Sequence, residues 1–194
     1  MIEVTPFTRI RGVTTNCASA PVAAAADIDS AVFRVSNPFP EDLRVWLKAS
    51  TLLRVSQGIA QANRVETLRP VFSFCATRFH HPWRMLAVQT YALGSGVCGA
   101  QAIVEEVGID AGLRELCRGD TPSIEFLRRF RNHNRTAVLR CVEDLLRHAW
   151  CHHYGQREAA AHRWLAVEIL CEARARLHRA ERCDTAYERC RNAN

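Results

Sequence analysis

Gly119–Arg135, GDTPSIEFLRRFRNHNR, is the stretch whose reading decides the fold. Thr121 stands where a helix cap accepts a backbone N–H, and Pro122 suits a first helical turn, where a missing N–H goes unnoticed. At about 100° per residue Phe126, Leu127 and Phe130 fall together, with Ile124 at their edge. Glu125, Arg128, Arg129 and Asn132 fall on the other side. The Phe/Leu side needs a helical partner to cover it. The arginine side has two readings. Arg and Asn side chains suit guanine and adenine edges in a major groove, and Arg131 and Arg135 suit phosphates. Arg128, Arg129, Arg131, Asn132 and Arg135 are therefore the candidate nucleic-acid contacts. Alternatively, Glu125 pairs with Arg128 and Arg129 at i,i+3 and i,i+4, as on any solvated helix, at about 0.2–0.5 kcal/mol per pair.

The same helical period extends outward in both directions. Downstream, Arg135 to Tyr154 forms a longer helix closed by Gly155, and Gln156 to about Arg191 reads as one long, arginine-rich helix. Its first half presents Leu165, Ile169 and Leu170 to a core. Arg174, Arg176, Arg179 and Arg182 of its second half are expected on a charged, solvated face that projects, pairs with a second copy or lies along DNA. Upstream, Asp110–Cys117, Cys98–Val107 and a helix starting at Pro82 and stopping at Gly94 precede the opening stretch. Earlier still come a helix over about Val65–Phe79 and one starting at Pro40-Glu41-Asp42, with Leu43, Trp46, Leu47, Leu53 and Ile59 toward one face and Gly58 as its weak point. Residues 1–40 carry Pro6, Pro21, Pro38 and Pro40 and no period, so an irregular arm with at most a short strand at Ala31–Val35 is expected. The sequence thus predicts an all-α, multi-helix bundle: an arm over 1–40, a helical domain over 41–154 and a long C-terminal helix over 155–194.

The chain has 194 residues, 48% hydrophobic, enough for one packed domain. Its formal charge is +6, and Lys48 is the single lysine among 26 basic residues. The surplus favours an anionic partner, nucleic acid ahead of membrane. Nine cysteines do not read as a disulfide framework, because the number is odd and no secretory leader opens the chain. Cys183 and Cys190 lie seven residues apart in a helix, about 10 Å along its axis and too far to bridge. Cysteine here is read as a small hydrophobe in a reducing, cytoplasmic compartment. Met85–Val104 lacks charge, but Gln89, Gly94, Ser95, Gly96, Gly99 and Gln101 make it two helices around a turn rather than a membrane span.

Three consecutive runs, HPWRMLAVQTYALGSGV, AIVEEVGIDAGLRELCRGDTP and FLRRFRNHNRTAVLRCVEDLL, together resemble the helical N-terminal domain of DDE-type insertion-sequence transposases. The resemblance lies in His81, Pro82, Tyr91 and Gly94, then Gly96, Val97 and Ile103, then Gly119, Pro122, Phe130 and Arg131, then Leu139, Leu145 and Leu146. It covers about Glu66–Trp150. After the Gly-Val turn the family usually shows Ser and Arg, where this chain has Cys98, Gly99, Ala100 and Gln101. The resemblance implies binding to double-stranded DNA, with association with a second copy or with a full-length transposase. In that family a catalytic RNase H-like domain follows, whose three carboxylates hold metal ions. Here 155–194 reads as a helix, and Glu181, Asp184 and Glu188 are expected on its solvated surface, so the chain is not expected to cut or join DNA. A helical protein-interaction module that has lost DNA binding is the alternative.

His148, Cys151 and His152 share one helical turn and have metal-ligand chemistry, but a structural zinc needs four ligands and no CxxC or HxxxH completes the set. Histidines at a helix C-terminus facing the dipole give the simpler account. No glycine-rich phosphate loop follows a strand. No cofactor and no small-molecule substrate is implied.

Overall fold

The computed structural model describes residues 38–63, 68 and 81–192. The expected strand at Ala31–Val35 and helix at Val65–Phe79 lie outside the described residues. The rest is all-α: α1 (Arg44–Leu47), α2 (Ala49–Ala62), α3 (Pro82–Gly94), α4 (Ala100–Val107), α5 (Ala111–Cys117), α6 (Ile124–His133), α7 (Arg135–Tyr154), α8 (Gln156–Ala161) and α9 (Leu165–Asn192). Asn37–Asn194 forms one compact unit, to which the C-terminal helix belongs.

α3 is the axis of this unit. All ten residues from Met85 to Gly94 are buried, and α2, α5, α6, α7 and α9 all pack on it. A helix surrounded on every side cannot be amphipathic, which is why this run carries no charge. Its two central polar groups are satisfied internally. Thr90 Oγ1 donates to the Leu86 carbonyl at 2.7 Å, and Gln89 Nε2 to the Leu127 carbonyl at 3.3 Å. The packing is close enough to demand glycine at one crossing. A Cβ on Gly112 would lie 2.6 Å from Tyr91 Oη. Tyr91 cannot yield, because it is fully buried and donates to Asp110, with Oδ1 at 3.0 Å. Burial, then the Asp110 charge, pushes its phenol up to about 12. Asp110 also caps α5 by accepting the Leu113 N–H at 2.9 Å. Gly112→Ala is expected to cost about 1–3 kcal/mol by overpacking, lowering the thermal midpoint by about 2–4 °C per kcal/mol. An unchanged midpoint would contradict this crossing.

Three boundaries differ from the sequence reading. The first helix is broken at Lys48 (φ 46°, ψ 148°), not weakened at Gly58. Leu43 and Leu47 lie on average about 135° around a straight helix from Leu52, Leu53, Ser56 and Ala60. All six are buried, so the chain must turn between the two sets. α6 is capped by Ser123, which accepts the Phe126 N–H at 3.2 Å, rather than by Thr121. The long last helix is interrupted at 162–164, separating α8 from α9, with no glycine or proline to announce it. His162 there packs edge-on against Trp150, 5.2 Å away. The turn redirects α9 along α7, α4 and α3.

Cys117 and Cys141 are buried among apolar side chains as expected. Burial pushes their thiols up to about 11 and about 12, so both are protonated and inert at neutral pH. Among the described residues no helix is long and apolar enough to cross a membrane.

Candidate nucleic-acid interface

The apolar side of α6 is core: Phe126, Leu127 and Phe130 are buried. Its arginines are mostly turned to a partner within the chain. Arg128 Nη2 lies 2.5 Å from Glu188 Oε1, Arg131 Nη1 lies 2.8 Å from Asp184 Oδ2, and Arg135 Nε lies 2.9 Å from Glu181 Oε1. The basic row Arg128–Arg131–Arg135 and the acidic row Glu181–Asp184–Glu188 have the same i, i+3, i+7 spacing. They run in opposite directions, so each cation meets one carboxylate.

Arg131 is therefore not a phosphate contact. Its side chain is 1% exposed, its Nε donates to Gln89 Oε1 at 2.9 Å, and Asp184 neutralises it. Burial pushes this guanidinium down from its ordinary range, and the Asp184 and Glu181 charges oppose that shift. The expectation of a solvated carboxylate is corrected at Asp184, which is buried, whereas Glu181 and Glu188 keep 30% and 41% exposure while pairing with Arg135 and Arg128. Arg128 is 16% exposed and also faces Glu125 at 3.7 Å. Arg129 keeps 48% exposure and makes the anticipated pair with Glu125 at 2.7 Å. Arg135 keeps 51% exposure, and Asn132 is exposed. Of the five candidate contacts, Arg129, Asn132 and Arg135 thus reach solvent, two of them with a carboxylate alongside.

Two residues of α9 explain why it docks where it does. Arg176, expected to project, is 1% exposed. It donates to the carbonyls of Leu93 (2.8 Å), Gly94 (3.3 Å) and Pro40, and pairs with Glu172 at 2.6 Å. Those first two carbonyls lie at the C-terminus of α3, beyond the reach of intrahelical donors, and Gly94's also accepts the Leu43 N–H at 2.9 Å. Eight residues on, Asp184 Oδ1 accepts the Ala100 N–H at 2.7 Å, at the N-terminus of α4. A cation thus meets the negative end of one helix dipole and an anion the positive end of the next, on either side of a single turn. Gly99 permits the contact: its φ is +90°, and a Cβ there would lie 2.9 Å from Cys183 Cβ. The Gly99–Ala100 step is a docking point of α9.

Sequence reasoning missed this pairing, although two signals were present. Arg131 stands four residues after Leu127 and so shares a row with a core leucine. The matched spacing of the basic and acidic rows was the second.

The outward faces differ. Among the described residues Arg140 and Arg147 on α7, and Arg174, Arg182 and Arg189 on α9, are exposed and have no carboxylate partner. Elsewhere, His148 and His152 are exposed and Cys151 half-buried, and among the described residues no group of three His, Cys, Asp or Glu side chains is placed to hold a metal ion. At the far end of α7, Phe39, Trp46, Trp150 and Tyr154 pack ring to ring, and His153 stacks on Trp46 at 4.4 Å. Comparison of the chain with protein families, characterised proteins and solved structures finds no match.

Proposed function

We propose that this is a non-catalytic, cytoplasmic protein that binds double-stranded DNA. One observation carries the reading, the division of charge. Arg128, Arg131 and Arg135, which face α9, each meet a carboxylate, whereas among the described residues Arg140, Arg147, Arg174, Arg182 and Arg189 stand on outward faces without one. A guanidinium in that state is free to exchange water and a counterion for a phosphate. The resemblance of Glu66–Trp150 to transposase N-terminal domains supports the same partner, and that of a second copy. The pairing of Glu181, Asp184 and Glu188 with Arg135, Arg131 and Arg128 supports a role without strand cleavage.

The test is fluorescence anisotropy of a labelled random-sequence duplex across a salt series. The expected result is a log–log slope of several units, about 0.9 for each phosphate neutralised. Absence of binding at about 50 mM salt would remove the proposal.

A helical protein-interaction module is the second reading. Trp164 (61% exposed), Val167 and Tyr154 are large apolar side chains left in solvent around the α7–α9 junction. Light scattering that shows a stable dimer, together with no DNA affinity, would favour it.

A further inference from the structure

We propose that the outward row of α9 is a rail for the phosphates of duplex DNA. The inference rests on the DNA-binding reading above and names the surface that performs it. Arg174, His178, Arg182, Thr185 and Arg189 follow one another at steps of four, four, three and four, so they form one row along the helix, and all five are exposed. The row extends over about 22 Å at 1.5 Å per residue. A major groove is about 12 Å wide, so the row is long enough to meet phosphates on both of its walls.

The helix sorts its charges by face. Four of its five carboxylates, Glu172, Glu181, Asp184 and Glu188, are engaged with Arg176, Arg135, Arg131 and Arg128 respectively, and the fifth, Glu168, lies ahead of the row, 3.4 Å from His162. Much of the negative charge that would oppose an incoming phosphate is therefore paired from inside, while among the described residues Arg174, Arg182 and Arg189 have no carboxylate of their own. Glu181 does border the row, with Oε2 3.9 Å from His178 Nδ1, but its Oε1 is held by Arg135. His178, Glu181, Arg182, Thr185, Ala186 and Arg189 line an open groove of about 360 Å³, room for a phosphoryl group between two guanidinium forks, with the Glu181 carboxylate on its wall held by Arg135.

A lipid surface is the other large anion, and the row does not suit it. A helix lying on a membrane needs bulky apolar side chains to bury among the acyl chains. Along α9 the exposed large apolar residue is Val167, ahead of the row, and beside Arg182 and Arg189 stand Ala186 and Cys190. Docking of α9 into the core also fixes the helix before DNA arrives, so no backbone-ordering cost falls on binding.

The experiment compares the full chain with its Arg174→Gln/Arg182→Gln/Arg189→Gln variant on the labelled duplex, from about 50 to 200 mM salt. Arg140→Gln/Arg147→Gln removes two outward arginines of α7 instead and measures what the loss of free cations away from α9 does to the slope. Loss of three phosphate contacts is expected to lower the log–log slope by about 2.7 and weaken binding by tenfold or more at low salt. The single variant Arg182→Gln is expected to lower the slope by about 0.9. Thermal midpoints should match wild type, because none of these side chains has a partner to lose. Wild-type binding with an unchanged slope in the triple variant would overturn the rail and leave DNA binding standing. Failure of the wild-type chain to bind would overturn both.

Discussion

Asp184→Ala is expected to lower the unfolding free energy by about 3–5 kcal/mol, the cost of leaving a buried guanidinium without its counter-charge. Arg131 is 1% exposed, and Asp184 is the carboxylate that pairs with it. The substitution also orphans the Ala100 N–H at the start of α4, which Asp184 accepts at 2.7 Å. Domains of this kind are stable by only about 5–15 kcal/mol, so a large fraction of the total is at stake. Urea unfolding at neutral pH measures it. Asp184→Asn keeps an acceptor for Ala100 and loses only the charge, so it should fall between wild type and Asp184→Ala. Arg131→Met/Asp184→Asn removes both charges and should be less destabilised than the two single changes added together. A loss below about 1 kcal/mol in Asp184→Ala would mean that the carboxylate is solvated and the pairing of the two rows is incorrect.

The second large effect is expected at Arg176. Replacing it by Ala removes donors to Leu93, Gly94 and Pro40 at once, of which Gly94 keeps the Leu43 N–H, and takes from buried Glu172 the guanidinium at 2.6 Å. A loss of about 3–5 kcal/mol is expected, about 10 °C in thermal midpoint for a chain of this size. Arg176→Lys should recover little. Three directions of donation are filled by a planar fork, and an ammonium on a flexible stem cannot reproduce them. Arg182→Ala, six residues away on the exposed row, is the contrast and should stay within about 0.5 kcal/mol of wild type. Equal melting of the two variants would remove Arg176 from its place at the end of α3.

Both of these residues were assigned to solvent by the sequence, and the reason is instructive. Period and polarity give a residue's angle around its own helix, not what lies opposite. Arg176 shares a row with Ala173, Leu177 and Ala180, all buried, yet a long charged side chain at such a position reads as the edge of a stripe. It goes inside only because three backbone carbonyls and a carboxylate are assembled there, and those come from α3, from the turn after Pro40 and from its own helix. None of them is near it in sequence except Glu172.

Read alone, the sequence determined the helical class, the central helix Pro82–Gly94 with its charge-free run Met85–Gly94, the buried face of Phe126, Leu127 and Phe130, and the end of α7 at Gly155, because each is a local matter of period, polarity or a chain terminator. It also placed the Glu125–Arg129 pair, an i,i+4 contact within one turn. Only the tertiary structure decided that α1 and α2 part at Lys48, where two apolar sets face different ways and both find a core. It alone decided that α9 lies against the bundle with its carboxylates inward and Arg174, Arg182 and Arg189 outward. A charge is favourable wherever its counter-charge stands, and that place is fixed by residues some fifty positions apart meeting across the fold: Arg128 with Glu188, Arg131 with Asp184 and Arg135 with Glu181.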